Sequence, residues 1–164
     1  MSKARALREL LFFWFSGPPG RLLSRIFWEF PQGLAAWGTA LTCLLIFPLA
    51  EMVRFENSLY LRFHKKGGGV VAFTLGSVVI VRGKMKIGME DRLCLHEYGH
   101  CLQSRFWGPL YLFTCALPSV FSFWGRGRNH RYTWVEKDAN RRAWQYFQNK
   151  AAFPGWNFKR FPVK

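Results

Sequence analysis

The stretch that decides the fold is Leu93 to Ser104, which reads L-C-L-H-E-Y-G-H-C-L-Q-S. It holds two of the four histidines of the chain, with a glutamate directly after the first of them. Two histidines four residues apart on a helix share one face, so the imidazoles of His96 and His100 can reach the same metal ion. Glu97 then lies beside the ion, where its carboxylate can take a proton from a water molecule on the metal. The pattern therefore predicts a helix that carries most of a zinc site.

The residues around this motif also favour a helix. Glu90 and Asp91 give it an acidic start, and Gly108 follows its last turn. Gly99 lies inside the predicted helix, at a cost of about 1 kcal/mol relative to alanine. We therefore expect another backbone to approach the helix closely at this glycine.

A catalytic zinc ion normally takes three protein ligands and leaves its fourth position to water, so one more ligand must come from another segment. The candidates that follow the motif are His130, Glu136 and Asp138. Glu136 opens the helical pattern W-V-E-K-D-A-N-R-R-A-W-Q-Y-F, on a face with two alanines small enough to approach the glycine of the motif. Asp138 lies on a different face of that helix, where we expect it to be a solvated charge. The pattern favours Glu136 as the third ligand.

Other roles for this segment stay open. The letters T-W-V-E, beginning at Thr133, also form a capping box in which Glu136 reaches back to the start of its own helix. His130 is the second candidate for the missing ligand, and with Tyr132 it could instead donate a hydrogen bond to a developing oxyanion. Asn140, one turn after Glu136, is placed to accept the second ring N–H of a liganding histidine.

The composition restricts the partners of the chain. Its 164 residues suffice for one domain, half of them are apolar, and the net charge is +15. Anionic lipid and nucleic acid both suit such a chain. No known nucleic-acid motif accompanies the basic carboxyl-terminal part, so nucleic acid is the less favoured partner. The four cysteines form no C-x-x-C pair, which is typical of small buried apolar side chains.

Two uncharged runs predict contact with a membrane. Residues 31–50 predict a transmembrane or membrane-embedded helix, and residues 1–30, basic and aromatic, predict an interfacial segment on anionic lipid. Residues 106–125 predict a hydrophobic hairpin, re-entrant near Pro118, or a piece of globular core, because a full crossing would separate Glu136 from the histidine pair. Residues 51–164 then form the metal-binding domain, which the distribution of basic residues weakly assigns to the cytoplasmic side.

The sequence also predicts a small sheet, so the expected fold class is α+β, mainly α. Residues 70–74 and 78–81 are rich in β-branched side chains around Gly76 and Ser77, which indicates two short strands or one strand with a bulge.

The motif H-E-Y-G-H, followed by E-K-D-A-N-R-R-A, resembles the gluzincin metallopeptidases, in which a glutamate on a later helix completes the histidine pair. Within them it looks most like the integral-membrane branch that includes the CAAX prenyl protease and the bacterial heat-shock membrane protease. The chain is also similar to short, uncharacterised bacterial proteins with W-E-x-P-Q near the start and H-E-Y-G-H-x-L-Q-S in the middle. Here these motifs are Trp28 to Gln32 and His96 to Ser104.

This resemblance implies a zincin-like core in a bacterial inner-membrane protein that cleaves a peptide or protein substrate. It implies His96, His100 and Glu136 as zinc ligands, with Glu97 as general base. Asn140 stands where these peptidases carry an aspartate. The strand around residues 78–81 would be the sheet edge to which an extended peptide adds.

Overall fold

A computed structural model of the protein describes residues 2–67, 69–124 and 133–150, which form an α+β fold and so confirm the expected class. The α-helices are α1 (Lys3–Trp14), α2 (Pro19–Leu23), α3 (Phe30–Ile46), α4 (Arg92–Trp107), α5 (Leu117–Trp124) and α6 (Trp134–Phe147). Wide helical turns of the π type cover Ser24–Trp28 and Leu112–Ala116, and one 3₁₀ turn covers Gly108–Leu110. The strands are β1 (Leu49–Phe55), β2 (Ser58–Phe63), β3 (Val71–Leu75) and β4 (Val78–Arg82).

The four strands form one sheet in the order β1-β2-β4-β3. β2 and β4 run parallel, whereas β1–β2 and β3–β4 are antiparallel pairs. β3 and β4 are the two short strands that the sequence predicts, joined by a turn in which Gly76 has a positive φ of 61°. The expectation that residues 78–81 form the sheet edge is wrong. β4 is an interior strand buried on both faces, as its uninterrupted apolar run V-V-I-V permits, and the edge beside it is β3.

The sheet separates two helical layers. Alternate side chains of β2 point to opposite faces, so Leu59 and Leu61 pack with α1 and α3, whereas Tyr60 packs with α4 and α6. Both faces of the central strands are therefore covered, and α4 lies directly on the sheet.

The uncharged run 31–50 folds as two elements instead of one. Helix α3 ends at Ile46, because Pro48 favours extended backbone at Phe47, and β1 begins at Leu49. One face of α3 packs into the core through small side chains such as Ala36 and Ala40. Within residues 2–67, 69–124 and 133–150, no helix combines the length and the apolar character needed to cross a membrane.

The second uncharged run does not reverse near Pro118, so the hairpin expected there is wrong. The chain changes direction at Gly108, which has a positive φ of 51°, and the segment that follows is helical through Trp124. Tyr111 and Cys115 of this segment are buried together with Val135 of α6. The run is therefore partly core, as the alternative expectation held.

The segments Trp28 to Gln32 and His96 to Ser104 meet in space, at the end of α4. The indole of Trp28 donates a hydrogen bond to the carbonyl of Arg105 at 2.8 Å, and its ring covers Gly108 where a Cβ would collide. The amide of Gln32 donates to the hydroxyl of Ser104 at 3.1 Å and to the carbonyl of Gly108 at 3.0 Å. The first motif therefore fixes the end of the helix that carries the second.

Candidate metal centre

His96, His100 and Glu136 converge on one buried point. Oε2 of Glu136 lies 3.1 Å from Nε2 of His96 and 3.3 Å from Nε2 of His100. One ligand atom from each side chain lies within 4.8 Å of the other two. Zinc bonds to nitrogen and oxygen are about 2.0–2.1 Å long, so donors in a tetrahedral site lie about 3.3 Å apart. The separations of Glu136 from the two histidines are thus compatible with a metal ion of zinc size among the three side chains.

Helix packing produces this convergence. Asp91 caps the start of α4 by accepting the backbone N–H of Leu93 at 2.9 Å, as the acidic start of the motif predicts. α4 crosses α6 at Gly99, where a Cβ would collide with the carbonyl of Ala139. The close backbone approach expected at this glycine is thereby confirmed, and it brings Glu136 of α6 opposite the histidine pair.

The competing capping role of Glu136 is not realised. Thr133 is the residue at the start of α6, yet its side chain caps no backbone N–H of the helix. Glu136 is buried, and its carboxylate faces the two imidazoles and Ser119 of α5, whose hydroxyl donates to Oε1 at 2.7 Å.

The three groups interact strongly as charges in the metal-free state. Burial opposes a charge on His100, but the carboxylates of Glu136 and Glu97 and the hydrogen bonds outweigh burial and raise its pKa to about 9. Burial would likewise raise the pKa of Glu136, but the charge of His100 and the hydrogen bonds from both histidines hold this pKa well below its usual 4.5. A proton on His100 would therefore compete with any metal ion that enters the site.

Gln103 orients His100 from the same helix. Its Oε1 lies 2.8 Å from Nδ1 of His100, while its Nε2 donates to the carbonyl of Val135 at 2.8 Å and to the carboxylate of Asp138 at 2.9 Å. Because both partners of the amide nitrogen are acceptors, the amide oxygen must face the ring, and Nδ1 must carry the proton. The lone pair of Nε2 in neutral His100 then points to the metal position.

Asp138 belongs to this network and is not the freely solvated charge that the sequence suggests. Its Oδ2 accepts from Nε of Arg142 at 2.6 Å as well as from Gln103. Arg142 in turn packs over the ring of Phe106, 4.2 Å from its centroid. The orientation of His100 is therefore supported through three further side chains.

Glu97 lies next to the histidines but points to the sheet. It is 5% exposed, and its Oε2 accepts a hydrogen bond of 2.8 Å from the hydroxyl of Thr74 on β3. Tyr111 contacts the same residue of β3, because its hydroxyl donates to the carbonyl of Thr74 at 3.1 Å. The carboxylate of Glu97 and the edge strand β3 thus lie together beside the helix that carries the histidine pair.

The remaining predicted site residues have different outcomes. His130 and Tyr132 lie outside the described residues, so their roles stay predictions. Asn140 is buried one turn after Glu136, as expected, and its pairing with a histidine also stays a prediction. The four cysteines are buried free thiols, as predicted, and burial raises the pKa of Cys101, next to His100, to about 12.

Sequence reasoning missed Gln103, Thr74 and Ser119. The spacing of three residues between His100 and Gln103 was a usable indication, because such pairs are neighbours on a helix. Thr74 and Ser119 reach the site only through the tertiary fold.

Comparisons of the chain with protein-family models, with curated proteins and with solved structures give no match.

Proposed function

We propose that the protein is a membrane-associated zinc-dependent metallopeptidase. The observation that carries this proposal is the convergence of His96, His100 and Glu136 on one point. Glu97 follows His96 on the same helix, and its charge contributes to the raised pKa of His100. Three protein donors leave one position of a tetrahedral zinc ion open, which is the arrangement of catalytic rather than structural zinc sites.

The donor set of two imidazoles and one carboxylate suits zinc. When bound, zinc would polarise a peptide carbonyl and lower the pKa of a water molecule. His96, His100 and Glu136 would hold the ion, and Gln103 would keep His100 in the required tautomer. Glu97 would accept the proton of the attacking water at its carboxylate and deliver it to the leaving amine.

The edge strand β3 supports a peptide as the substrate. It lies against α4, and its residue Thr74 donates a hydrogen bond to the carboxylate of Glu97. An extended peptide that adds to β3 would run past the metal position, with backbone hydrogen bonds setting its register. The strand at residues 78–81 cannot receive the peptide in this way, because β4 is an interior strand.

The resemblance to the gluzincins agrees with this proposal at the level of the two motifs. The proposal also includes a zincin-like core made of α4, α6 and β3. It further includes a bacterial inner-membrane location, with the site weakly favoured on the cytoplasmic side.

The test compares wild type with Glu97→Gln for zinc content and for turnover of a quenched fluorescent peptide library. The proposal expects about one zinc ion per chain in both proteins and a loss of turnover of about a hundredfold or more in the variant. His96→Ala and Glu136→Ala should each lose zinc. Turnover that survives in a clean Glu97→Gln preparation would contradict the assigned mechanism.

A non-catalytic, membrane-associated metal-binding protein is the second candidate. The burial of the site favours it, since His96 is 1% and Glu136 is 2% exposed. In this case the wild type would bind zinc and cleave no peptide. Zinc removal would then lower the melting temperature of wild type and of Glu97→Gln alike.

A further inference from the structure

We propose that the outer faces of α1, α3 and the helical segment 108–124 form one surface that docks on an anionic bilayer. This inference deepens the proposed function, because it names the partner that the metal centre works beside. We call this surface the apolar face. Its large exposed apolar side chains include Leu11, Phe12, Leu34, Leu45, Leu110 and Phe113.

The apolar face is unlike the outside of an ordinary soluble helix. The 17 residues of α3 include no charged side chain, although Leu34 is 58% and Leu45 is 74% exposed. Residues 106–124 are equally free of charge, and Phe113 is 69% exposed. Large contiguous apolar patches on soluble monomers mark interaction surfaces.

The three parts of the apolar face are joined. The rings of Trp14 on α1 and Trp37 on α3 are 6.3 Å apart, so these helices are direct neighbours. Gln32 at the start of α3 donates to the carbonyl of Gly108, where the third part begins. Trp28, half exposed, lies over the same glycine and bridges the gap.

Charge identifies the occupant as an anionic bilayer. Arg5 and Arg8 are exposed one turn apart on α1, on the same helix as Leu11 and Phe12. Basic side chains beside an apolar helix face are the composition of helices that lie on anionic lipid. A second copy of this chain would instead bring two net charges of +15 together, which opposes association through this face.

The apolar face reaches the metal centre. Ser119 of α5 donates to the carboxylate of Glu136, while Leu117 and Phe121 of the same helix are exposed. Because α3 has its other face in the protein core, it can present only its outer face to lipid. A docked molecule would therefore hold the metal centre against the bilayer surface, one helix away from it.

The experiment is flotation of the full chain with vesicles of phosphatidylglycerol and phosphatidylcholine, compared with vesicles of phosphatidylcholine alone. We expect binding to the anionic vesicles that weakens with added salt, because Arg5 and Arg8 contribute charge. The double variant Leu34→Glu/Phe113→Glu should bind about tenfold more weakly or worse. The control Gln145→Glu/Gln148→Glu adds the same charge at two exposed residues, one in α6 and one directly after it, and should bind nearly as wild type does.

Melting curves and zinc content show whether each variant is folded, and the salt dependence of the wild type tests the proposal without any substitution. Two outcomes would overturn it: wild type that stays with the soluble fraction and forms dimers by light scattering, or equal binding by the two double variants. Vesicle binding does not require turnover, so an inactive protein that floats would contradict the peptidase and leave the apolar face standing.

Discussion

Gln103 holds the ring of His100 from one turn farther along the same helix, with 2.8 Å between Oε1 and Nδ1. The contact sets the tautomer of a histidine in the candidate metal centre, through an amide whose own orientation is fixed by Val135 and Asp138. A supporting contact of this kind is worth about 10- to 100-fold in metal affinity.

Replacement of Gln103 by leucine should therefore weaken zinc binding by about 10- to 100-fold, since the tautomer of His100 is no longer imposed. Competition with a fluorescent chelator measures the affinity. Gln145→Leu, the same change at an exposed position of α6, is the control and should bind zinc as wild type does. Equal affinity in both variants would remove Gln103 from the metal centre.

The metal-free protein should lose stability as the pH rises from about 6.5 to about 9. The pKa of His100 is raised from 6.5 to about 9 in the folded state, so its charged form stabilises the fold fully below pH 6.5 and no longer above pH 9. Glu136 has a lowered pKa, so its contribution is present above pH 4.5 and is lost as the pH falls further. Urea unfolding in the presence of a chelator measures the effect.

Glu136→Gln is the matched variant for this pH dependence. It removes the carboxylate that raises the pKa of His100, so the loss of stability between pH 6.5 and 9 should largely disappear. A wild-type stability that is constant over this range would show that His100 is neutral in the folded protein.

Gly99→Ala should destabilise the protein by about 1–3 kcal/mol or more, because the new methyl group collides with the carbonyl of Ala139. Separation of α4 from α6 should also reduce zinc content. Gly38→Ala, in α3 with open space around it, should instead stabilise by about 0.5–1 kcal/mol. Thermal melts distinguish the two, and a neutral Gly99→Ala would contradict the helix crossing.

Gln32→Leu should cost about 1–3 kcal/mol, since it leaves the carbonyl of Gly108 and the hydroxyl of Ser104 buried without their donor. The zinc affinity of the folded fraction should change little, because Gln32 supports the end of α4 and not its ligands. Denaturant unfolding and zinc titration measure the two effects. An unchanged unfolding midpoint would show that the first motif does not anchor the second.

The convergence of His96, His100 and Glu136 could be predicted from the sequence, because a zinc site that begins with two histidines needs a third donor. Among the candidates that follow the histidines, Glu136 lies on a helical pattern whose face also carries two alanines. The helix positions of His96 and His100 then follow from the period of 3.6 residues.

The sheet could be predicted only in part. β3 and β4 are local in sequence and joined by a tight turn, so their pattern is visible. The parallel pairing of β2 with β4 involves no local contact. β1 begins at Leu49, inside the uncharged run 31–50, whose composition is that of a membrane helix. The prediction that residues 78–81 form the sheet edge was wrong for the same reason. The order of strands in a sheet depends on partners that are distant in sequence, and β-branched composition does not reveal this order.

Tyr111 covers part of the hydrogen-bonding edge of β3. Its hydroxyl occupies a backbone acceptor of the edge strand, the carbonyl of Thr74, which an added peptide would also use. In a peptidase of this design, the hydroxyl of Tyr111 would compete with the substrate backbone for the carbonyl of Thr74. Because the tyrosine belongs to the same chain, its effective concentration at this carbonyl is high. Only a ligand with enough backbone contacts would displace it, so the protein would discriminate by chain length and spare short peptides.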